Sequence, residues 1–525
     1  MRDALIVGAG FSGLYMLHRL RGLGLSALAL ERGSDVGGTW YWNRYPGARC
    51  DVESLQYSYQ FSEELQQEWV WAERYAGQPE ILRYANHVAE RFDLKRDIRF
   101  EQAVKSVRFD EETNHWTSET ETGERFIARF CIMATGCLSA INHPKIKGLA
   151  SFGGDVLHTG DWPHEYVSFE GKHVGVIGTG SSAIQSIPII AETAEHLTVF
   201  QRTPNYVVPA WNAPLDPKVQ NAVKADYAAL RARAKTTRNG IDFPIPTSSA
   251  LNVSDEEREA VYESRWALGG LSFMTAFNDL LIDKRANDTA AHFIRRKIRS
   301  IVDDPKTAER LSPRSIVGCK RLCVDTGYFQ TFNRTNVSLV DISEQPIEMI
   351  VADGVKVGGE HHRLDMLILA TGFDAMTGAL KRIDIRGRGG LRLSDKWMDG
   401  PKTYLGLAVA AFPNLFTITG PGSPSVLTNM LPTIEQHVDW IADCLAYLEE
   451  SGTQAIEATD EAETAWVDHV SEVAGGLLYP QCNSWYLGAN IEGKPRVFLP
   501  YPGFPAYVKK CNRVAANGYE GFVLT

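Results

Sequence analysis

The sequence predicts an α/β protein built from two Rossmann-like dinucleotide-binding domains with a helical insertion, and three observations carry that expectation. A strand, glycine turn, helix, strand pattern occurs twice, over residues 4–31 and 174–200. Two further apolar runs, Phe130–Met133 and Met366–Leu369, open into the same turn, Ala134-Thr135-Gly136 and Ala370-Thr371-Gly372. Between residues 215 and 313 strand signals fade and helical spacing replaces them.

In chain order, the apolar run Ala4–Val7 reads as a strand and leads into Gly8, Gly10, Ser12 and Gly13. The first glycine permits a tight turn, the second a close approach of backbone to a pyrophosphate, and the third close helix–strand packing. Leu14, Leu17, Leu20 and Leu23 mark the helix, and Ala27–Leu30 a second strand that ends at Glu31. An acid there accepts from ribose hydroxyls and repels a 2′-phosphate; the plain alternative is a solvated acid at a strand end. The segment Gly37–Asp51 is rich in aromatic residues, glycine and proline, and reads as ligand-lining rather than as a soluble loop. Phe152–Pro163 falls where a linker to the second unit is expected.

The second unit runs from strand Val174–Ile177 through Gly178-Thr179-Gly180-Ser181-Ser182-Ala183 and a helix to Ala191, then strand Leu197–Phe200. Gln201-Arg202-Thr203 follows, with a cation where the first unit has an acid. That substitution favours the 2′-phosphate of NADP, the alternative being an exposed loop arginine. In the helical stretch, Ser254-Asp255-Glu256-Glu257 forms a capping box, and Ile294, Ile298 and Ile301 share one face. Strands return at Val337–Val340 and Met366–Leu369, and the tail from about residue 385 must come back to cover the first unit.

At 525 residues the chain has room for about three domains. Hydrophobic residues at 44% and charged residues at 22% exclude a disordered or fibrous chain. A net charge of −10 argues against nucleic acid or an anionic membrane as a partner. The eight cysteines are scattered with neither disulfide-scaffold density nor zinc spacing, so free thiols in a reducing cytosol are expected. With no charged-then-apolar leader and no long apolar span, the expected location is cytoplasmic. The oligomeric state is not readable, and a monomer is the working expectation.

These residues resemble the type I Baeyer–Villiger monooxygenases. Phe152, Gly154, His158, Trp162 and Pro163 match that family's F-x-G-x-x-x-H-x-x-x-W-P fingerprint, and Gly37–Asp51 matches its G-G-x-W … Y-P-G … D segment. Lys320-Arg321, Gly420-Pro421-Gly422-Ser423-Pro424 and Trp485-Tyr486 with Gly488-Ala489-Asn490 follow in matching order, nearest to the phenylacetone monooxygenase branch. The likeness runs over essentially the whole chain.

The resemblance implies FAD at the first glycine turn and NADPH at the second. NADPH reduces the flavin, O₂ adds to give a flavin C4a-peroxide, and the peroxide attacks an aryl, cyclic or aliphatic ketone to give an ester or lactone. It implies Arg321 and Asp51 as the catalytic residues, the arginine as a permanent cation and the aspartate as its partner. Implied FAD contacts are Gly8, Gly10, Ser12, Gly13, Glu31, Gly38, Thr39, Trp40, Trp42, Asp51, Tyr57, Val104 and Met430. Implied NADP contacts are Arg49, Gly178, Thr179, Gly180, Ser181, Ser182, Gln185, Arg202, Thr203, Lys320, Arg321 and Trp485, the last on a mobile loop. No metal is expected. His158 is implied in domain rotation and Ser423–Asn429 in shaping the substrate site. The implied domains are residues 1–141 with 377–525 for FAD, 152–208 with 321–376 for NADP, and 209–320 for the insertion. Two other classes stay open: a flavin monooxygenase that oxidises nitrogen or sulfur, and a non-catalytic FAD/NADP redox sensor.

Overall fold

Glycine turns following apolar runs generate two separate parallel β-systems, and the chain crosses between them twice. The computed structural model describes residues 1–525. In the first sheet, Arg2–Val7 lies between Ala27–Leu30 and Arg125–Met133, parallel to both, with Ala4 opposite Ala27 and Ile6 opposite Ile132. Ala4–Val7, Ala27–Leu30 and the second half of Arg125–Met133 bury their apolar residues almost completely, which is why they read as runs rather than as alternation.

The strand Arg125–Met133 serves two neighbours on its other side. Its first half pairs antiparallel with His115–Thr120, and its last three residues pair in parallel with Leu415–Thr417. Asp384–Arg386 extends the same sheet beside Val104–Asp110. The tail thus returns to the first unit, and the helix Met430–Ser451 packs its Ile441 and Leu445 into the core that holds Leu14 and Leu17 of the helix Phe11–Gly22. The C-terminal strand Phe522–Leu524 closes the chain against Ile456–Ala458.

The second sheet has five parallel strands in the order Val337–Asp341, His196–Gln201, His173–Ile177, Met366–Leu369 and Asp155–His158. The segment read as a linker is therefore partly an edge strand, with Val156 opposite Leu367 and Leu157 opposite Ile368. Its four residues include an exposed valine, too short and too open for an apolar signal. A three-stranded antiparallel meander, Ile347–Val351, Gly354–Val357 and Glu360–Arg363, also carries no clear mark in the sequence.

Helices fill the stretch between. Ser254 accepts from the Glu257 amide at the start of Asp255–Leu268, and Ile294 and Ile298 of Lys284–Ile301 are buried. Val207–Pro209 and Cys323–Asp325 pair in parallel, so this helical stretch leaves and re-enters the fold at one place. The two crossings between sheets also meet: the Asn142 amide donates to the Gly372 carbonyl (2.9 Å), and the Thr371 hydroxyl donates to the Asn142 carbonyl (2.7 Å). No helix is long and apolar enough to cross a membrane.

The expectation that all eight cysteines are free thiols is overturned. Cys319 and Cys482 form a disulfide with Cα atoms 5.5 Å apart, while the other six are free and buried. A separation of 163 residues leaves no spacing signal to read.

Glu435, on the helix Met430–Ser451, is buried and accepts from the backbone amides of Gln60 and Phe61. Burial pushes its carboxyl from 4.5 up to about 7. The folded protein therefore holds a proton that the unfolded chain releases, and this site costs stability as pH rises from about 4.5 to 7, with no further change above. Glu435→Gln keeps an acceptor and removes the charge. Its melting-temperature advantage over wild type is expected to grow between pH 5 and pH 8; a difference independent of pH contradicts this account.

Candidate active site

Both glycine turns are built where a side chain has no room. A Cβ on Gly8 (φ +107°) would lie 2.6 Å from the Ala134 carbonyl oxygen, and one on Gly178 (φ +113°) would lie 2.5 Å from that of Ala370. Gly10 and Gly38 face each other so closely that a Cβ on Gly38 would approach the Gly10 Cα to 2.8 Å. The helices that follow, Phe11–Gly22 and Ser181–Thr193, start at Gly10 and Gly180 with no side-chain cap and no acid in the first turn. Elsewhere Ser254, Asp283, Asp304, Asn429 and Thr459 cap theirs. Two bare sets of amides at positive dipole ends are arrangements that phosphates satisfy.

Glu31 is buried, with one carboxylate oxygen accepting from the Ala9 amide (2.7 Å) and the other from the Gly33 amide (2.8 Å). Both bonds pin the carboxylate at the rim of the first turn and leave lone pairs for a diol. Ser12 is buried in the first helical turn. At the second turn, Thr179 donates to the Thr203 carbonyl (2.9 Å) and Ser181 lies 3.2 Å from the Cys323 sulfur. Arg202 is exposed at the end of its strand, close enough to Lys320 that burial and the Arg202 charge together lower the lysine's pKa. Neither cation has a carboxylate partner within salt-bridge distance, so the pair is free to bind an anion.

The segment Gly37–Asp51 joins the two turns. Thr39 opens a helical turn, Thr39–Trp42, in which the Trp40 indole donates to the Tyr57 hydroxyl (3.1 Å) and Trp42 stacks under Arg32 (4.1 Å). The Tyr45 hydroxyl donates to the Gln185 side chain (2.8 Å), whose amide donates in turn to the Arg49 carbonyl (3.1 Å). Gly47 abuts the Gln185 carbonyl, where a Cβ would come to 2.3 Å. The Arg49 guanidinium pairs with Glu73 (3.0 Å).

Asp51 then meets Arg321. Arg321 Nε and Nη2 both donate to the Asp51 carboxylate, the Nη2 bond at 2.9 Å, and Nη1 donates to the Val426 carbonyl at 2.8 Å. A weaker Nη1 contact reaches the Thr428 carbonyl at 3.4 Å, leaving one Nη2 N–H uncommitted. Burial alone would weaken the guanidinium's hold on its proton, but the charge and hydrogen bonds of Asp51 outweigh it and raise the pKa. The cation is permanent. Leu427, Tyr479, Tyr486 and Met376, with half-buried Met430, Trp485 and Phe498, form one apolar cluster beside it. Such walls keep water away and strengthen any field from Arg321.

Not every expected residue joins this centre. Val104 is half-buried and packs at the first sheet, at the head of its strand. His158 ends the edge strand, accepts from the Gly160 amide (2.9 Å) and lies 3.1 Å from the Thr371 hydroxyl at the crossing. Burial, then His143, lowers its pKa to about 4, so it is neutral near pH 7. The tyrosine walls and the tie from Lys494 to the Ala375 carbonyl (2.8 Å) were not anticipated. Only the aromatic density of residues 479–486 could have flagged the former. No group of three or more His, Cys, Asp or Glu side chains is arranged to hold a metal.

Comparison with known proteins adds the following. Residues 5–262 match the family model described as pyridine nucleotide-disulphide oxidoreductase. A phenazine N-monooxygenase from Lysobacter antibioticus is 43% identical over 99% of this chain and 97% of its own. A Baeyer–Villiger monooxygenase from Pseudooceanicola batsensis is 43% identical over 99% and 96%. Among solved structures, an oxidized steroid monooxygenase bound to NADP is 53% identical with a TM-score of 0.95, and OTEMO in complex with FAD and NADP is 40% identical with a TM-score of 0.97. Each covers 100% of this chain and 99% of its own.

Proposed function

Because the chain belongs to the Baeyer–Villiger monooxygenase family, we propose that its two glycine turns and the Arg321–Asp51 pair together convert ketones to esters or lactones. FAD, NADPH and O₂ are the co-reactants. The observation that carries the reading is the bidentate pair, a fixed cation beside an apolar wall.

The residues present fit both cofactors. With no side chain on Gly10 or Gly38 a pyrophosphate can approach the backbone of the first turn, the amides of residues 11–13 meet its charge, and Glu31 suits a ribose without a 2′-phosphate. At the second turn the bare amides of Ser181–Thr193, with Thr179, suit NADP, and Arg202 with Lys320 suits its 2′-phosphate. Bound at these places, NADPH supplies hydride and FAD the means of activating O₂ for insertion beside a carbonyl. This reading takes residues 1–141 and 377–525 as the FAD domain, 152–208 and 321–376 as the NADP domain and 209–320 as the insertion.

Arg321 stabilises the negative charge that grows on the ketone oxygen as an oxygen nucleophile adds to carbon. A preorganised donor in a water-poor site typically contributes about 100- to 1000-fold in rate. Asp51 moves no proton; it fixes the fork of the guanidinium and leaves one N–H for the reacting oxygen. Val426 and Thr428 anchor the same guanidinium through their carbonyls, so the 425–429 turn that shapes the ketone site is tied to the charge that acts on it. Trp485 and Met430 pack against the same apolar wall.

The phenazine relative favours a second reading, oxidation of an aromatic nitrogen. Purified holoenzyme with NADPH and O₂ separates the two when offered cyclohexanone, an aryl ketone, a steroid ketone and phenazine in turn. Esters or lactones in step with NADPH consumption are expected. N-oxide without ester, or NADPH consumption equal to that without substrate, refutes the ketone reading.

Two substitutions test the roles. Arg321→Ala is expected to keep consuming NADPH while ester yield falls at least about 100-fold; a normal ester yield sinks the cationic role. Arg202→Ala is expected to lose about tenfold in NADPH-over-NADH preference, since a charge-assisted phosphate contact is worth roughly 1.5–3 kcal/mol. Unchanged relative KM values for the two nucleotides would remove Arg202 from the phosphate site.

A further inference from the structure

Cys319 and Cys482 are the one cysteine pair that the fold brings to bonding distance, and their neighbours in sequence are the residues assigned above to nucleotide and ketone. Cys319 directly precedes Lys320 and Arg321, and Cys482 precedes Trp485 by three positions. Both are buried, at 5% and 8% exposure, and their Cα separation of 5.5 Å is in the range a disulfide needs.

The segment that carries Cys482 is otherwise held by non-covalent contacts: packing of Tyr479, Tyr486 and Leu499 in the apolar cluster, the Lys494–Asp374 ion pair, the Asn490 bond to the Phe373 carbonyl (2.7 Å), and backbone ties. The Leu478 amide donates to the Leu281 carbonyl (2.9 Å), the Leu499 amide to that of Tyr486 (2.9 Å), and Lys494 to that of Ala375 (2.8 Å). Between those anchors lie Trp485 and Tyr486, against the apolar wall. Non-covalent contacts can open locally and close again, whereas a covalent bridge forbids the opening while it lasts. The bridge therefore adds the one covalent limit on how far residues 482–487 can move from Lys320 and Arg321.

We propose that Cys319 and Cys482 form a reversible redox clasp, oxidised by hydrogen peroxide and opened by thiols, that holds the Trp485 segment shut over the nucleotide. One thiol attacks peroxide, the O–O bond breaks, and a sulfenic acid and water result. The second thiol attacks that sulfur, the S–O bond breaks, and the S–S bond forms as a second water leaves. Two thiols are oxidised by two electrons in all and one peroxide is reduced by two. Thiol exchange returns both cysteines. With the clasp closed, NADP⁺ leaves slowly and turnover falls; with it open, nucleotide exchanges freely. The functional half of this proposal rests on the nucleotide assignment above, and the chemical half does not.

The test uses full-length FAD-loaded protein prepared in reductant, then treated with hydrogen peroxide. Remaining thiols are alkylated in denaturant and peptides are mapped by mass. A linked Cys319–Cys482 peptide is expected after peroxide and absent after dithiothreitol, with NADP⁺ dissociation in stopped flow slowed about tenfold by oxidation and restored by reduction. Cys482→Ser and Cys319→Ser are expected to release NADP⁺ at the reduced wild-type rate whatever the treatment. The wild-type comparison needs neither variant to fold. Full alkylation of both cysteines after peroxide, a link that persists in reductant, or a reversible link with unchanged NADP⁺ release each overturns the clasp. A reversible link that slows NADP⁺ in an enzyme making no ester leaves the clasp standing and removes the ketone reading instead.

Discussion

One ion pair sets the terms for the rest of the molecule. Arg321 and Asp51 are 270 residues apart in sequence, and each comes from a segment fixed by a different part of the fold. Asp51 ends the aromatic loop wedged between the glycine turns, and Arg321 stands just before the strand Cys323–Asp325 through which the helical stretch rejoins the second unit. Both side chains are half-buried, where an unpaired charge is costly, so the pair helps tie the aromatic loop of the first unit to the second. The same bidentate geometry turns a structural necessity into a chemical tool, because it commits most of the guanidinium's donors and aims the remainder.

The helix ends make a related point. The protein caps many of its helices with Ser, Thr, Asp or Asn side chains, whereas the two that follow the glycine turns start bare and, unlike the uncapped Gln78–Arg91 and Phe504–Ala516, carry no proline in place of a first-turn amide. The orphan amides cost little while water reaches them and become binding determinants when phosphate replaces that water. Glu31 on one side and the Arg202–Lys320 pair on the other then separate two nucleotides that share most of their chemistry.

What could be read in the sequence follows from how local each constraint is. The glycine turns were legible because Gly8 and Gly178 must take positive φ beside a neighbouring carbonyl, and only glycine can. The buried strands Ala4–Val7 and Val174–Ile177 were legible as runs, and Ile294 and Ile298 as a helix face. The meeting of Asp51 with Arg321 was not: no local rule links them, and only likeness to a family's motifs brought them together. The edge strand Asp155–His158 is too short to leave a pattern, and the meander at 347–363 is half-exposed. The cysteine pair broke the reading outright, since sparse thiols imply nothing about two that the fold brings together across 163 residues.

The split pairing of Arg125–Met133 bears on how the protein comes into being. Its last residues find their partner in Leu415–Thr417, and the sheet's outer rank in Asp384–Arg386, both encoded after the whole of the second β-system. During synthesis the N-terminal strands leave the ribosome well ahead of these partners, while the five-stranded sheet is complete once residue 369 is out. The later-translated unit is thus positioned to mature first, with the earlier one waiting, edge unfilled, for the carboxyl-terminal third of the polypeptide.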